Sequence, residues 1–230
     1  MKNAYRRRRV ILAIATLIVS VATLWAHPSN WQQQLPAPTV SHSASGPAAD
    51  ALAKLAVKGR APKTDYARTQ FGQGWQAVGR CDTRNMILQR DLTDAVLDDN
   101  CRVTAGTLVD PYGGKTIQFV RGEQTSDDVQ IDHVVALSNA WQTGAQQLTQ
   151  LERESFANDP LELLAVDGDL NQEKSDADAA TWLPPNKAFR CQYVARQIAV
   201  EAKYRLWVTS AEKDAMARVL AACPDQKLPT

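Results

Sequence analysis

The chain has 230 residues, room for one domain of ordinary size with a modest extension. Its 44% hydrophobic and 22% charged residues are those of a soluble globular protein, and exclude a wholly disordered chain, a collagen-like repeat and a polytopic membrane protein. The formal net charge is +1, but Lys2 and Arg6 to Arg9 crowd five basic residues into the first nine positions. The rest is mildly acidic, so a nucleic-acid ligand would need a local basic site rather than a global positive field.

The N-terminus reads as an export element. Val10–Ala26 is a 17-residue run broken only by Thr16, Ser20 and Thr23, and four arginines precede it. A basic segment followed by an apolar one is the signal-peptide pattern. As a helix the run spans about 25 Å, a little short of a hydrocarbon core. Ala26 suits the position before a cleavage site, whereas Leu24 is bulky where a small residue is wanted. Residues 1–26 are therefore expected to be a cleaved signal or a single-pass anchor that meets the membrane if uncleaved, with the remainder outside the cytoplasm. Residues 27–49, uncharged and rich in Pro, Ser, Ala and Gln until their end, read as a tether. The globular domain is expected over 50–230, secreted or membrane-anchored.

In chain order, the periodicity predicts a short amphipathic helix over Asp50–Lys58 and a second over Thr83–Leu92, capped by Asp82 or Thr83. Arg102–Val109 alternates as a strand, and Lys115–Val120 is a second strand. Asp110-Pro-Tyr-Gly-Gly114 between them marks the turn of a hairpin. Val129–Val135 and Leu161–Val166 are further strands, the latter followed by a turn at Asp167-Gly168 and a polar helix from about Leu170. Asn186–Trp207 is the longest helix, and Ser210 opens the last one. The fold class is α+β. Cys81, Cys101, Cys191 and Cys223 all lie in the globular part and form no C-x-x-C pair, which disfavours a zinc ribbon or a thioredoxin-like site. Behind an export signal an even count points to two disulfides. Of the three connectivities, Cys81–Cys101 with Cys191–Cys223 joins sequence neighbours and is preferred.

Few residues can carry chemistry. His133 is the single histidine beyond the tether, so a multi-histidine metal site and a two-histidine mechanism are excluded; no Walker loop, G-x-G-x-x-G or G-x-S-x-G occurs. Asp132 and His133 stand side by side at a predicted strand, and in extended backbone adjacent side chains face opposite ways and can serve separate roles. A carboxylate is a hard ligand for Mg²⁺, and an imidazole can deprotonate water near neutral pH. The dipeptide alone is common. It is followed, however, by IDHVVALSNAW at 131–141 and NDPLELLAVDGDLNQEKSD at 158–176. This order, Asp-His, spacer, second strand, then a helix carrying Asn171 and Lys174, resembles the ββα-metal core of HNH nucleases. CDTRNMILQRDL, DPYGG, QIDHVVALSNAWQTGA and DAATWLPPNKAFRC extend the resemblance over about 64–224. They are similar to bacterial, often exported, HNH proteins related to the C-terminal nuclease domain of GmrSD-type restriction enzymes.

The resemblance implies a ββα-metal core with a β-hairpin and surrounding helices, stapled by disulfides. It implies a metal-dependent endonuclease in which Asp132 and Asn171 hold one Mg²⁺ or Mn²⁺ and His133 is the general base. Lys174, one turn beyond Asn171, would meet a phosphate. The partner would be nucleic acid, with DNA placed ahead of RNA, and no protein partner is implied. Where the family has a central Asn, this chain has Glu162. An ionised carboxylate accepts but cannot donate. Glu162 is expected to turn toward His133 and raise the imidazole pKa, or else to join the metal ligands. Lys187, Arg190, Arg196 and Lys203 on the long helix read as an ordinary charged face before a basic strip, and Trp141, Trp182 and Trp207 as core. The alternative to an enzyme is a catalytically weak or inactive nuclease-fold binding module at the cell surface, which Glu162 would favour.

Overall fold

A computed structural model describes residues 47–122 and 126–229, all within the compact unit His42–Thr230. The expected signal or anchor and most of the tether lie outside the described residues. Among those described, no helix is long and apolar enough to cross a membrane.

Pro47–Ala49, expected to close the tether, instead open helix α1 (Pro47–Lys54), where Ala48, Ala49 and Leu52 are buried. A one-turn 3-10 segment, Arg68–Phe71, and a small ribbon of β1 (Ala77–Val78) and β2 (Cys81–Asp82) lead to α2 (Thr83–Asp91). Of the two candidate caps, Asp82 serves α2, its carboxylate accepting from the Asn85 N–H at 2.8 Å. Strands β3 (Leu92–Leu97), β4 (Val103–Val109) and β5 (Thr116–Val120) form an antiparallel sheet in that order. The β4–β5 turn is the expected DPYGG: the Asp110 N–H donates to Lys115 O at 2.7 Å and the Gly114 N–H to Asp110 O at 2.9 Å. Gly114 has φ 73°, the left-handed region that suits glycine.

The segment that matters most is β6 (Val129–His133), α3 (Leu137–Gln142), α4 (Gln150–Ala157), β7 (Leu163–Asp167) and α5 (Gly168–Lys174). β6 and β7 pair antiparallel, with Asp132 opposite Leu164 and His133 opposite Leu163. The ribbon is buried on both faces. Val129, Ile131, Leu163 and Ala165 join Ile87, Leu88, Val103 and Phe119 in one core; Leu164 and Val166 join the larger helical core. That explains why LLAV reads as a continuous apolar run.

Asp167, expected in a tight turn, is instead the N-cap of α5, its carboxylate accepting from the Leu170 N–H at 3.0 Å. A Cβ on Gly168 would lie 2.0 Å from the carbonyl oxygen of Asp127, so only glycine lets β7 turn into the helix there. Helices α6 (Arg190–Lys203) and α7 (Ser210–Leu220) close the larger core, and Trp141, Trp182 and Trp207 are buried as expected. Arg190 donates to Pro184 O, Arg196 to Leu161 O, and Lys203 pairs with Asp159 at 2.6 Å, so three of the four cations considered for a basic strip serve the fold. The fold is α+β with small sheets. Cys81–Cys101 and Cys191–Cys223 are its two disulfides, and no cysteine among the described residues is free.

Candidate active site

β6 ends at the lip of a cavity of about 320 Å³ lined by Asp132, His133, Ser138, Asn171, Asp176 and Arg68, among others. Pairing with β7 fixes Asp132 and His133, and α5, growing directly out of β7, brings Asn171 to the same cavity. Three residues separated by up to 39 positions are thus gathered by one ribbon and the helix that follows it.

His133 is buried. Its ring stacks on Trp75, with centroids 5.7 Å apart and planes 5° from parallel, and its Nε2 lies 3.0 Å from the carbonyl oxygen of Ala157. A carbonyl can only accept, so Nε2 carries the hydrogen and Nδ1 keeps the free lone pair. Burial pushes the imidazole pKa down to about 3, and the positive charges of Arg68 and Lys174 push in the same direction. The ring is therefore neutral throughout the neutral range. The loop after it is pinned from several sides. Val134 N–H donates to Glu162 O at 2.9 Å, and Gln197 Nε2 donates to Val134 O at 3.0 Å.

Glu162 does not turn toward His133. Its fully buried carboxyl accepts from the Val135 N–H at 3.2 Å through both oxygens. Burial pushes its pKa well above the usual carboxylate range, with the Val135 hydrogen bond and the Lys174 charge opposing. The expectation of a charge that raises the imidazole pKa is overturned on both counts: the carboxyl faces the backbone of the next loop, and the imidazole pKa is lowered.

Asp132 has Oδ1 2.9 Å from the Lys174 Nζ and Oδ2 2.5 Å from the Tyr112 hydroxyl, both of which donate to it. Burial raises its pKa, while Lys174 and Tyr112 lower it. Lys174 also donates to the carbonyl oxygen of His133 at 2.8 Å. Its side chain is wholly buried. The expected phosphate contact is thus an internal strut, and Lys174 does not line the cavity. Asn171 Nδ2 donates to Gln130 Oε1 at 2.8 Å, which leaves the amide oxygen as the free hard donor.

The donor set is compatible with a divalent ion of the Mg²⁺ type. No three His, Cys, Asp or Glu side chains cluster as a cage among the described residues. Mg²⁺, however, needs only one or two protein oxygens and keeps its waters. The Asn171 amide oxygen and Asp132, a carboxylate with about four lone-pair positions of which two are engaged, supply those oxygens at one cavity.

Trp75, Tyr112 and Arg68 are absent from the sequence-based expectations. Tyr112 sits in the DPYGG turn, and Asp110 locks that turn to β7 by accepting from the Tyr112, Gly113 and Asp167 N–H groups. The motif was legible as a turn, but nothing local shows that its tyrosine reaches Asp132. A second cavity, of about 130 Å³, is lined by His133 together with Phe71, Trp75, Leu137 and Ala157, and Arg68 lines both cavities.

The family described as GmrSD restriction endonucleases, C-terminal domain, matches residues 82–219. The chain is 37% identical over 209 residues to a protein of Arthroderma benhamiae named "Uncharacterized secreted protein", covering 90% of this chain and 97% of that one. No solved structure matches. On the extent of these two matches, the chain belongs to the family of GmrSD restriction endonuclease C-terminal domains.

Proposed function

We propose that this chain is an extracytoplasmic, metal-dependent endonuclease of the HNH type that hydrolyses nucleic-acid phosphodiester bonds, DNA ahead of RNA. The observation that carries the reading is the convergence of Asp132, His133 and Asn171 on one cavity, from a strand pair and the helix growing out of it. Export is supported by the two disulfides, the secreted relative and the basic-then-apolar N-terminus. That terminus is either cleaved or retained as an anchor.

His133 holds its Nε2 hydrogen on Ala157 O and offers Nδ1 to a water in the cavity, and Trp75 fixes the ring plane. Attack of that water on phosphorus forms the new P–O bond as the bond to the leaving 3′ oxygen breaks, and the water's proton passes to Nδ1. Asp132 and Asn171 would hold Mg²⁺ or Mn²⁺, with Tyr112 and Lys174 fixing the Asp132 carboxylate. When bound, the ion would supply charge stabilisation to the phosphate and the leaving oxygen. Glu162 holds the loop after the base. A buried carboxyl that favours its neutral form has both a donor and an acceptor, which is what the family's asparagine offers at that place.

The test is plasmid nicking by the purified full chain with Mg²⁺ or Mn²⁺. Cleavage should stop in EDTA and fall by about 10²–10⁴-fold in His133→Ala. Full activity in chelator, or in that variant, would overturn the mechanism. The internal partners of both Asp132 oxygens favour one competing reading, a nuclease-fold module that binds nucleic acid without cutting it. It predicts binding without nicking in either metal.

A further inference from the structure

With Lys174 committed inside the protein, the site needs another cation to meet an anionic substrate. We propose that Arg68 is the phosphate-binding residue of this cleft, a guanidinium supplied to the scissile phosphate from a segment that precedes the matched family domain. The inference rests on the nuclease reading above and assigns its substrate contact.

Four observations carry it. Arg68 lines both cavities that flank His133, and no other Lys or Arg lines either. It is exposed, and its guanidinium makes no hydrogen bond or ion pair with any described residue. The nearby cations are occupied: Lys63 pairs with Asp176 at 3.1 Å, Arg60 with Asp178 at 2.7 Å, and Lys174 with Asp132. The backbone that carries Arg68 is nonetheless fixed. Phe71, at the other end of the same 3-10 turn, is 2% exposed and packs on Phe156 and Trp141 with centroids 5.8 and 6.3 Å away, and Arg153 donates to the carbonyl oxygen of Gln70 at 2.8 Å. A cation on a rigid turn, with its donors unspent beside a neutral base, is preorganised for an anion. The planar fork of a guanidinium matches two phosphate oxygens.

The turn lies before residue 82, where the family match begins. Trp75, which stacks on His133, lies there too. The stretch 68–75 therefore adds to the cleft two side chains, Arg68 and Trp75, from outside the matched residues 82–219.

The experiment compares full-length wild type with Arg68→Ala and Arg68→Lys. Arg218→Ala is the control, an exposed arginine on α7 that lines neither cavity. Cleavage is read by plasmid nicking, and binding by titrating a labelled DNA oligonucleotide in EDTA over a range of NaCl. Arg68→Ala should lower kcat/KM by about 10²-fold. It should also reduce the slope of log affinity against log salt by about 1. Arg68→Lys should restore the slope and only part of the rate, and all variants should melt with wild type.

Cleavage and a salt slope in Arg68→Ala equal to those of wild type would overturn the inference while leaving the nuclease reading standing. Wild type that binds but does not nick would overturn hydrolysis, and a lost unit of slope in Arg68→Ala would still support the phosphate contact. Wild type that neither binds nor nicks would overturn both.

Discussion

Lys174 spans from Oδ1 of Asp132, at 2.9 Å, to the main-chain carbonyl of His133, at 2.8 Å, and its whole side chain is buried. The two residues proposed for chemistry are thus joined by one ammonium. Helix geometry explains how. Residues three apart share a face, so a helix that turns Asn171 to the cavity turns Lys174 the same way, one turn deeper. Ser175, at φ 51°, ends α5 immediately after it.

Removing this ammonium strands a buried carboxylate. Lys174→Met should cost about 3–5 kcal/mol, the range for breaking a buried pair from one side. The double variant Lys174→Met with Asp132→Asn should recover much of that, because no uncompensated charge remains. Urea unfolding of the two variants measures it. A single variant within about 0.5 kcal/mol of wild type would contradict a buried ion pair.

What sequence made legible divides along range. A cap at one of Asp82 and Thr83, the DPYGG turn and a strand opening at Val129 are all set within a few residues; Asp82 is the cap, and the strand stops at His133, two residues short of the expected Val135. Strand β3 has no legible local pattern. Its exposure runs buried, exposed, exposed, half-buried, and its register with β4 shifts twice, so no clean alternation survives. Helix α3, at six residues, is too short to show a period. Helix α4 does carry a local signal, a full capping box of Thr149 and Glu152.

At the site the division is sharper. Asp132, His133 and Asn171 could be named because the motif spacing carries them. Trp75 and Tyr112 are 58 and 20 positions from the residues they support, and no local pattern encodes a tryptophan stacking on a particular imidazole. Lys174 meets Asp132 rather than a phosphate, because sequence gives its helical face but not its depth.

Glu162 offers a test of charge against hydrogen bonding. Because its carboxyl holds the Val135 N–H and favours the neutral form, Glu162→Gln should keep the acceptor and leave both the rate at pH 7 and the acid limb of the pH–rate profile in place. Glu162→Ala should orphan a buried N–H at a cost of about 1–3 kcal/mol. An acid limb displaced in the Gln variant would mean that Glu162 acts on His133 through its charge.

The disulfides close loops of 20 and 32 residues. On chain entropy alone each is worth about 3–4 kcal/mol. Cys191–Cys223 ties the first turn of α6 to the stretch just after α7 and so fastens the larger core, whereas Cys81–Cys101 joins β2 to the β3–β4 connection. Paired replacement by serine should lower the urea midpoint in both cases. Non-reducing peptide mapping should find the two pairings and no alkylatable thiol.

The last expectation is a stability effect remote from the cleft. Glu212, on α7, uses one carboxyl oxygen in the capping box with Thr209, while Oε1 is buried with no partner. Burial, with Asp178 adding repulsion, pushes its pKa up from 4.5 to about 7, against the opposing influence of the Thr209 N–H and the Arg60 charge. Glu201, facing it from α6, is raised in the same direction, with Glu212 itself among the causes. A raised carboxyl pKa means that the folded state holds a proton that the unfolded chain has released. Its contribution is present below pH 4.5 and is lost as pH rises through about 7. His133 carries the opposite linkage, its lowered pKa withdrawing stability as pH falls below about 6.5. The difference between Glu212→Gln and wild type cancels that contribution. Glutamine keeps the capping-box acceptor and removes the charge. Its advantage over wild type should therefore grow between pH 5 and 8 by on the order of 2–3 kcal/mol, roughly 5–10 °C in Tm, and then level off. A Tm difference that stays flat across that range would show that Glu212 is ionised at no cost in the folded protein.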